Sequence, residues 1–458
     1  MKKTVIVFLV AAMLSLLHCG CKKAEYKIPV GSDAVPTESI EVKVTKNSQG
    51  NWILTVSGEP FYVNGAATNR FYTDVRKFGG NTIRLYSPKS SDTREIMDDA
   101  YKAGLKVYLG LGMSAAQYVD YSDAAKAAAQ KETILEYVRQ YKEHPALLCW
   151  SIGNEIEASN ENNLNLWKTV GEIAAAIKEL DGKHPVTCAL AGSGTTRLQN
   201  LMKYAPDIDF ISVNSYYPSV GNIANNIAQA GLDVPYMVTE FGPRGTWAMS
   251  PEPTRILPWT DYYSSTSSAL VEETSTEKEN VYMSIWENDI KAKESAGCIG
   301  SFVFVWGYQT HGEVLNWYAS YTTDRYTYGV CDAMQKCWTG SWPAARAPRI
   351  ESRKDMTMNG KTAESAIKVA VNSQNTAKVV AVASTEIKLN YRWILFREGD
   401  HKTDGSMPDG IEGLIENPSL PEISFKAPAS SGAYRLYVFA LDDVNKKAAS
   451  ACIPFFVE

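Results

Sequence analysis

Eight short apolar runs alternate with stretches of helical spacing over most of this chain, and that alternation limits the folds open to it. The runs are Phe61–Val63, Asn81–Tyr86, Leu105–Leu111, Leu147–Asn154, Val186–Ala191, Phe210–Tyr216, Tyr236–Phe241 and Cys298–Trp306. Several are nearly continuous in apolar character, as parallel strands buried on both faces must be. Thr93–Ala103, Ala124–Lys142 and Leu164–Leu180 fill gaps between them, and Leu166, Val170, Ile173 and Ile177 fall on one helical face. Eight strand–helix units within roughly 300 residues predict a closed (β/α)8 barrel, an α/β TIM barrel. An open doubly wound sheet normally carries a Gly-rich phosphate loop after its first strand, and none follows Phe61–Val63.

The flanks read differently. Glu41–Thr45 and Trp52–Val56 enclose the turn-like Asn47–Gly50 and predict a small hairpin before the barrel. After it, Pro343–Pro348 reads as a linker, and the helical period disappears. Ala366–Val371, Ala377–Ala383, Tyr391–Phe396, Ile423–Lys426, Tyr434–Leu441 and Ala451–Phe456 are strand-like, which predicts a β-sandwich resembling an immunoglobulin or fibronectin type III domain. The expected division is residues 41–345 for the barrel with its hairpin and 346–458 for the sandwich. The sandwich itself reads as a spacer or a buttress.

Residues 1–21 read as a signal peptide and 22–40 as a polar tether. Lys2 and Lys3 precede the apolar run Val5–Leu17, which is shorter than the ~20 residues of a bilayer span. The segment Leu16–Cys21 resembles the bacterial lipobox, with Gly20 before Cys21 favoured over His18 before Cys19. That resemblance implies lipidation at Cys21 and an exported lipoprotein at the outer membrane or periplasmic face. Simple secretion is the alternative.

Composition removes other classes. With 46 Lys+Arg against 51 Asp+Glu, the net charge of −5 gives no footprint for nucleic acid. A hydrophobic share of 45% excludes wholesale disorder and a multi-span membrane protein. Cys149, Cys188, Cys298 and Cys452 lie in or beside apolar runs and read as buried thiols. Cys331 and Cys337 could pair only if no single helix spans them. The histidines are scattered, and no Cys/His cluster has metal-ligand spacing, so no structural metal is expected; the two-carboxylate chemistry read below needs no metal or organic cofactor. Tyr (25) and Trp (11) together far outnumber Phe (13), as suits aromatic faces that meet wet, polar partners.

Catalytic groups of a barrel sit at the C-terminal ends of its strands. The fourth run ends in Asn154-Glu155 and the seventh in Glu240-Phe241. Each Glu caps an apolar run, where an unpaired charge would be costly. Three strand steps apart, the two carboxylates face each other and could converge to the ~5–5.5 Å spacing of a retaining glycosidase.

Asn-Glu after strand four and Glu after strand seven resemble the clan A (β/α)8 glycoside hydrolases over about residues 60–340. Ile211–Tyr217 looks like the strand-six segment whose Tyr touches the nucleophile, Asn81–Tyr86 like the strand-two segment with its rim Arg, and Phe304–Trp306 like the end of strand eight. The resemblance implies Glu155 as acid/base, Glu240 as nucleophile and Asn154 as partner of the substrate 2-hydroxyl. It adds Arg84, Tyr216 and a sugar-platform Trp306. Arg84 could instead be a structural ion-pair partner, and Tyr217 could replace Tyr216. An acid has to hold its proton near neutral pH, so Glu155 needs an apolar or like-charge setting, whereas Arg84 and Tyr216 would favour ionised Glu240.

Two long stretches, Gly242–Thr276 and Gly307–Val330, are rich in aromatics, among them Trp247, Trp259, Tyr262, Tyr263, His311 as the one imidazole, Trp317 and Tyr318. Flat rings suit the C–H faces of sugars, so Trp247 joins the binding set and a polysaccharide or oligosaccharide is the expected partner. The barrel, the C-terminal immunoglobulin-like domain and the lipobox together resemble glycoside hydrolase family 158, which implies endo-acting cleavage of β-1,3-glucan; the chain is expected to act as a monomer. No N-terminal sandwich of the family 2 type is legible, which argues against a typical β-galactosidase or β-glucuronidase. Family 5 mannanases or cellulases and a family 72 transglycosylase are further readings within the clan. A surface glycan-binding lipoprotein is the non-enzymatic rival, and it would not need both glutamates.

Overall fold

The computed structural model describes residues 35–458 except 69, 89–91, 250–255, 258–269, 309–315, 401 and 403–405. The signal segment with Cys21, most of the tether, and Trp259, Tyr262, Tyr263 and His311 lie outside the described residues.

Eight parallel strands close into a barrel. In chain order, strands one to eight are Val63–Ala67, Thr82–Leu85, Lys106–Met113, Leu147–Asn154, Val186–Ala191, Ile211–Asn214, Tyr236–Phe241 and Cys298–Val303. Strand one lies further along the chain than the apolar run predicts. Its sequence, Val-Asn-Gly-Ala-Ala, carries almost no β-branched signal, because strand eight crowds it. A Cβ on Gly65 would stand 2.4 Å from the Phe302 ring. Phe61 belongs instead to a plug at the N-terminal end of the barrel. There Val42–Lys46 pairs antiparallel with Trp52–Val56, and Val42, Leu54, Val56 and Phe61 pack beneath Tyr108, Leu148, Phe210 and Met237. The plug leaves the C-terminal mouth as the open end.

Helices Thr93–Lys102, Ala124–Tyr141 and Leu164–Leu180 cover the outside of the barrel. The Asp123 carboxylate caps the second, accepting from the backbone of Ala125 and Lys126. Cys331 and Cys337 both lie on helix Gly329–Thr339 and, like the other four described cysteines, are free and buried.

The C-terminal region is a sandwich of two four-stranded sheets. Its outer sheet alternates as a half-buried sheet should: Gln374–Val379 and Glu422–Lys426 each expose every second residue. The inner sheet does not. Gly432–Asp442 and Lys447–Val457 are buried along almost their whole length. One inner face, with Leu436, Val438 and Trp393, meets Ile423 and Phe425 of the outer sheet. The other face, with Phe396, Tyr437, Phe439 and Cys452, joins the core of the barrel. Helices Ser275–Ser284 and Gly329–Thr339 pack on strand Lys447–Val457.

Candidate active site

Both glutamates stand at the mouth, and both are aimed by irregular strand ends. The pairing of strand four with strand five slips between Ser151 and Asn154, and that of strand seven with strand six slips between Val238 and Glu240. Such slips re-aim a side chain at the end of a strand. Glu155 follows its strand in the left-handed region, with φ 52°, and its N–H donates to Ala189 O at 2.8 Å. A non-glycine residue there carries strain that the surrounding structure must hold.

The Glu240 carboxylate is 6% exposed and held at both oxygens. Arg84 Nη1 (3.0 Å) and the Tyr86 hydroxyl (2.9 Å) donate to Oε1, and the Tyr216 hydroxyl donates to Oε2 at 2.5 Å. Burial pushes Glu240 up from the usual carboxylate range and the charge of Glu155 adds to the push, while Arg84, Tyr216 and Tyr86 pull it back down. Burial also pushes both tyrosines far up, with Glu240 adding to it, so they keep their protons and remain donors. Arg84 is 1% exposed. Burial works against its charge, but Tyr86, Glu240, Tyr108 and Tyr216 outweigh that and hold the guanidinium raised. It faces Glu240 as a fixed cation.

One amide joins the two halves. Asn214 Nδ2 donates to Glu155 Oε1 at 2.9 Å and to Asn154 Oδ1 at 3.0 Å. Its own Oδ1 accepts from Arg84 Nη1 at 3.1 Å and from Thr239 Oγ1 at 2.9 Å. Arg84 Nη2 also reaches Asn154 Oδ1 at 2.5 Å. Oδ1 of Asn154 is thus occupied by two donors, and the donor capacity of its side chain rests on Nδ2.

The structure therefore gathers Arg84, Asn154, Glu155, Tyr216 and Glu240 into one network. Trp247 stands beside it, 49% exposed, its ring edge-on to Tyr216 at 5.4 Å. Tyr217, in the turn past the end of strand six, makes no described hydrogen bond to Glu240 and is 46% exposed. Trp306 does not offer a platform. Its ring is fully buried among Phe78, Tyr321 and Trp338, and a platform needs an open face. Glu157, which could pass for a solvated group, is fully buried beside Arg197 and accepts from the Ala191 N–H, bracing the end of strand five. Sequence reasoning quoted the segments holding Tyr86 and Asn214 without assigning either a role. Tyr86 lies two positions after Arg84, just past the end of strand two, and that spacing was its available signal.

Paired carboxylates at the ends of strands four and seven of a (β/α)8 barrel define a class, the clan A glycoside hydrolases. More particularly, residues 95–247 match the TIM barrel domain of glycosyl hydrolases family 2. The β-glucuronidase of Sus scrofa is 26% identical over 179 residues, 35% of this chain and 26% of that protein. The mannan endo-1,4-β-mannosidase A of Aspergillus aculeatus is 31% identical over 91 residues, 20% of this chain and 24% of that protein. The matched regions thus span about a quarter of these relatives' lengths. Among solved structures, Bacteroides uniformis β-glucuronidase 2 superposes with TM-score 0.49 at 12% identity, over 91% of this chain and 48% of its own. Over residues 95–247 the barrel is thus similar to that of family 2, whereas the lack of a legible N-terminal sandwich in the sequence argued against a typical β-galactosidase or β-glucuronidase. That argument weighed an accessory module, whereas the likeness lies in the barrel.

Proposed function

We propose that this protein is a retaining glycoside hydrolase that cleaves a β-linked glycan by double displacement. The observation that carries the reading is the asymmetry of the pair: Glu240 is clamped by a cation and two hydroxyls, while Glu155 keeps a half-open position across Asn214. An ionised Glu240 oxygen attacks the anomeric carbon as the glycosidic C–O bond breaks, and Glu155 gives its proton to the departing oxygen. Water then attacks the glycosyl ester, Glu155 takes the water's proton, and Glu240 leaves as carboxylate. Asn154 Nδ2 donates to the sugar 2-hydroxyl, and Trp247 lies against a neighbouring ring.

The finer reading of the substrate is endo-acting cleavage of β-1,3-glucan, which the family 158 resemblance implies. The β-glucuronidase names of the curated relatives favour a second reading, a terminal uronic acid. Export as a monomeric lipoprotein anchored through Cys21 belongs to the same proposal and would place the enzyme beside extracellular or periplasmic glycan. A screen of laminarin, mixed-linkage glucan, mannan and aryl β-glucuronides and β-galactosides decides between them. Oligosaccharide ladders from laminarin support the first, and release of a single acidic sugar the second. NMR of the earliest product should show retained anomeric configuration, and inversion would sink the mechanism.

A further inference from the structure

The sandwich reaches the active site through buried charge. Glu272 and Lys278, 3% and 5% exposed, form an ion pair between strand seven's loop and helix Ser275–Ser284. The other Glu272 oxygen accepts from the hydroxyl of Tyr437, on the inner sheet of the sandwich. Arg435, fully buried on the same strand, donates to Leu270 O at 2.7 Å and pairs with Glu398 at 2.6 Å. The segment Leu270–Glu272 is thus held at two points from the sandwich.

Lys278 carries that hold onward. Its Nζ donates to Asn316 O at 2.8 Å, where Asn316 sits in the left-handed region with φ 59°. The next residue, Trp317, donates its indole N–H to Arg244 O at 2.9 Å, fixing the backbone of the strand-seven loop near Trp247. The residue after it, Tyr318, lies 5.3 Å from Tyr216 and 5.2 Å from Phe304, and its carbonyl accepts from Val305 N at 3.2 Å. Tyr216 is the residue that holds Glu240 Oε2. An ammonium buried this deeply is a poor way to gain stability, because a packed apolar side chain of similar volume is often equal or better. What only the ammonium supplies is a donor that ties a carboxylate to a particular loop carbonyl.

We infer that Lys278, set by Glu272 and Tyr437, is a positioning residue that holds the Asn316–Tyr318 turn against Tyr216 and so fixes the nucleophile, which makes the sandwich part of the catalytic machinery. The inference rests on the hydrolase reading above. It predicts an effect on turnover more than on substrate binding, because the turn contacts the nucleophile's partner rather than the sugar.

The test uses the full chain. Lys278→Met with Glu272→Gln removes both charges together and leaves no lone buried ion. On an aryl glycoside that the wild type cleaves, kcat should fall about 10- to 100-fold, the range a small misplacement of a catalytic group produces. KM should stay within about twofold, a split that marks loss of transition-state rather than ground-state interaction. Lys278→Arg alone, which keeps a cationic donor opposite Glu272, should lose less of kcat than the double variant. Hydrogen exchange read without substrate should quicken at the Val305 and Ala319 amides, which the turn protects, and stay unchanged in helix Leu164–Leu180. Tyr437→Phe, which removes only a hydroxyl, should shift both readouts the same way by less and decides the matter should the double variant not fold. Unchanged exchange at the turn, or an unchanged kcat in a folded variant, overturns the inference. Lack of turnover by the wild type would overturn the hydrolase reading instead, and the exchange measurement would still judge the positioning role.

Discussion

The ends of strands four and seven carry the same side chain in opposite settings. Glu240 is buried, with a guanidinium and two phenolic hydroxyls on its oxygens. Glu155 is half-buried, sits on a strained backbone, and has one described side-chain donor, Asn214. In the proposed mechanism, surroundings rather than chemical identity divide the work. A carboxylate surrounded by donors is held in place to attack, while one left partly open can exchange protons with a leaving group and with water.

The sharpest way to break this contrast is to delete the attacking side. Glu240→Ala should lower kcat/KM for a good substrate by at least about a thousandfold, the scale seen when a covalent nucleophile is lost. Circular dichroism should show the fold intact. Near-normal turnover would end the assignment. Glu155→Gln comes next, with a loss of about 100- to 10,000-fold, the usual range for general acid–base catalysis. The loss should shrink for aryl leaving groups that depart without a proton.

The same variant tests the coupling across the mouth. The Glu155 charge helps to push Glu240 up, so removing it should lower the Glu240 pKa. The nucleophile must be ionised, so the acid limb of kcat/KM for an activated substrate should move to lower pH. A shift to higher pH would contradict the placement of the two carboxylates. Tyr216→Phe removes one donor from a charged group, worth about 1.5–3 kcal/mol, and should cost roughly 10- to 100-fold in kcat. The smallest change belongs to the exposed aromatic: Trp247→Ala should raise KM a few-fold, a loss of about 1 kcal/mol, with little effect on kcat. Equal effects of Tyr216→Phe and Trp247→Ala on KM would blur the distinction between clamp and platform.

Much of this was readable from the chain. Strands four, five and seven have the predicted limits, because Leu147–Asn154, Val186–Ala191 and Tyr236–Phe241 are apolar runs ended by polar or turn residues. Strand one was misplaced because tight packing against Phe302 requires Gly and Ala, which carry no strand signal. At the site, Arg84 and Tyr216 were legible by resemblance. Asn214 was not, because its role depends on four partners from strands two, four and seven that no local pattern brings together. Trp306 misled for the opposite reason. A tryptophan at a strand end reads alike whether its face is open or covered, and here Phe78 and Trp338 cover it. Lys278 looks like any helical lysine until the fold closes a second domain over it.

The inner sheet of the sandwich has a consequence for how the molecule comes apart. Because Phe396, Tyr437 and Phe439 are shared with the barrel's interior, cutting the chain at Pro343–Pro348 would leave each half with a bare greasy flank. The two halves should therefore melt in a single calorimetric transition, and a nicked sample should stay associated until that temperature is reached.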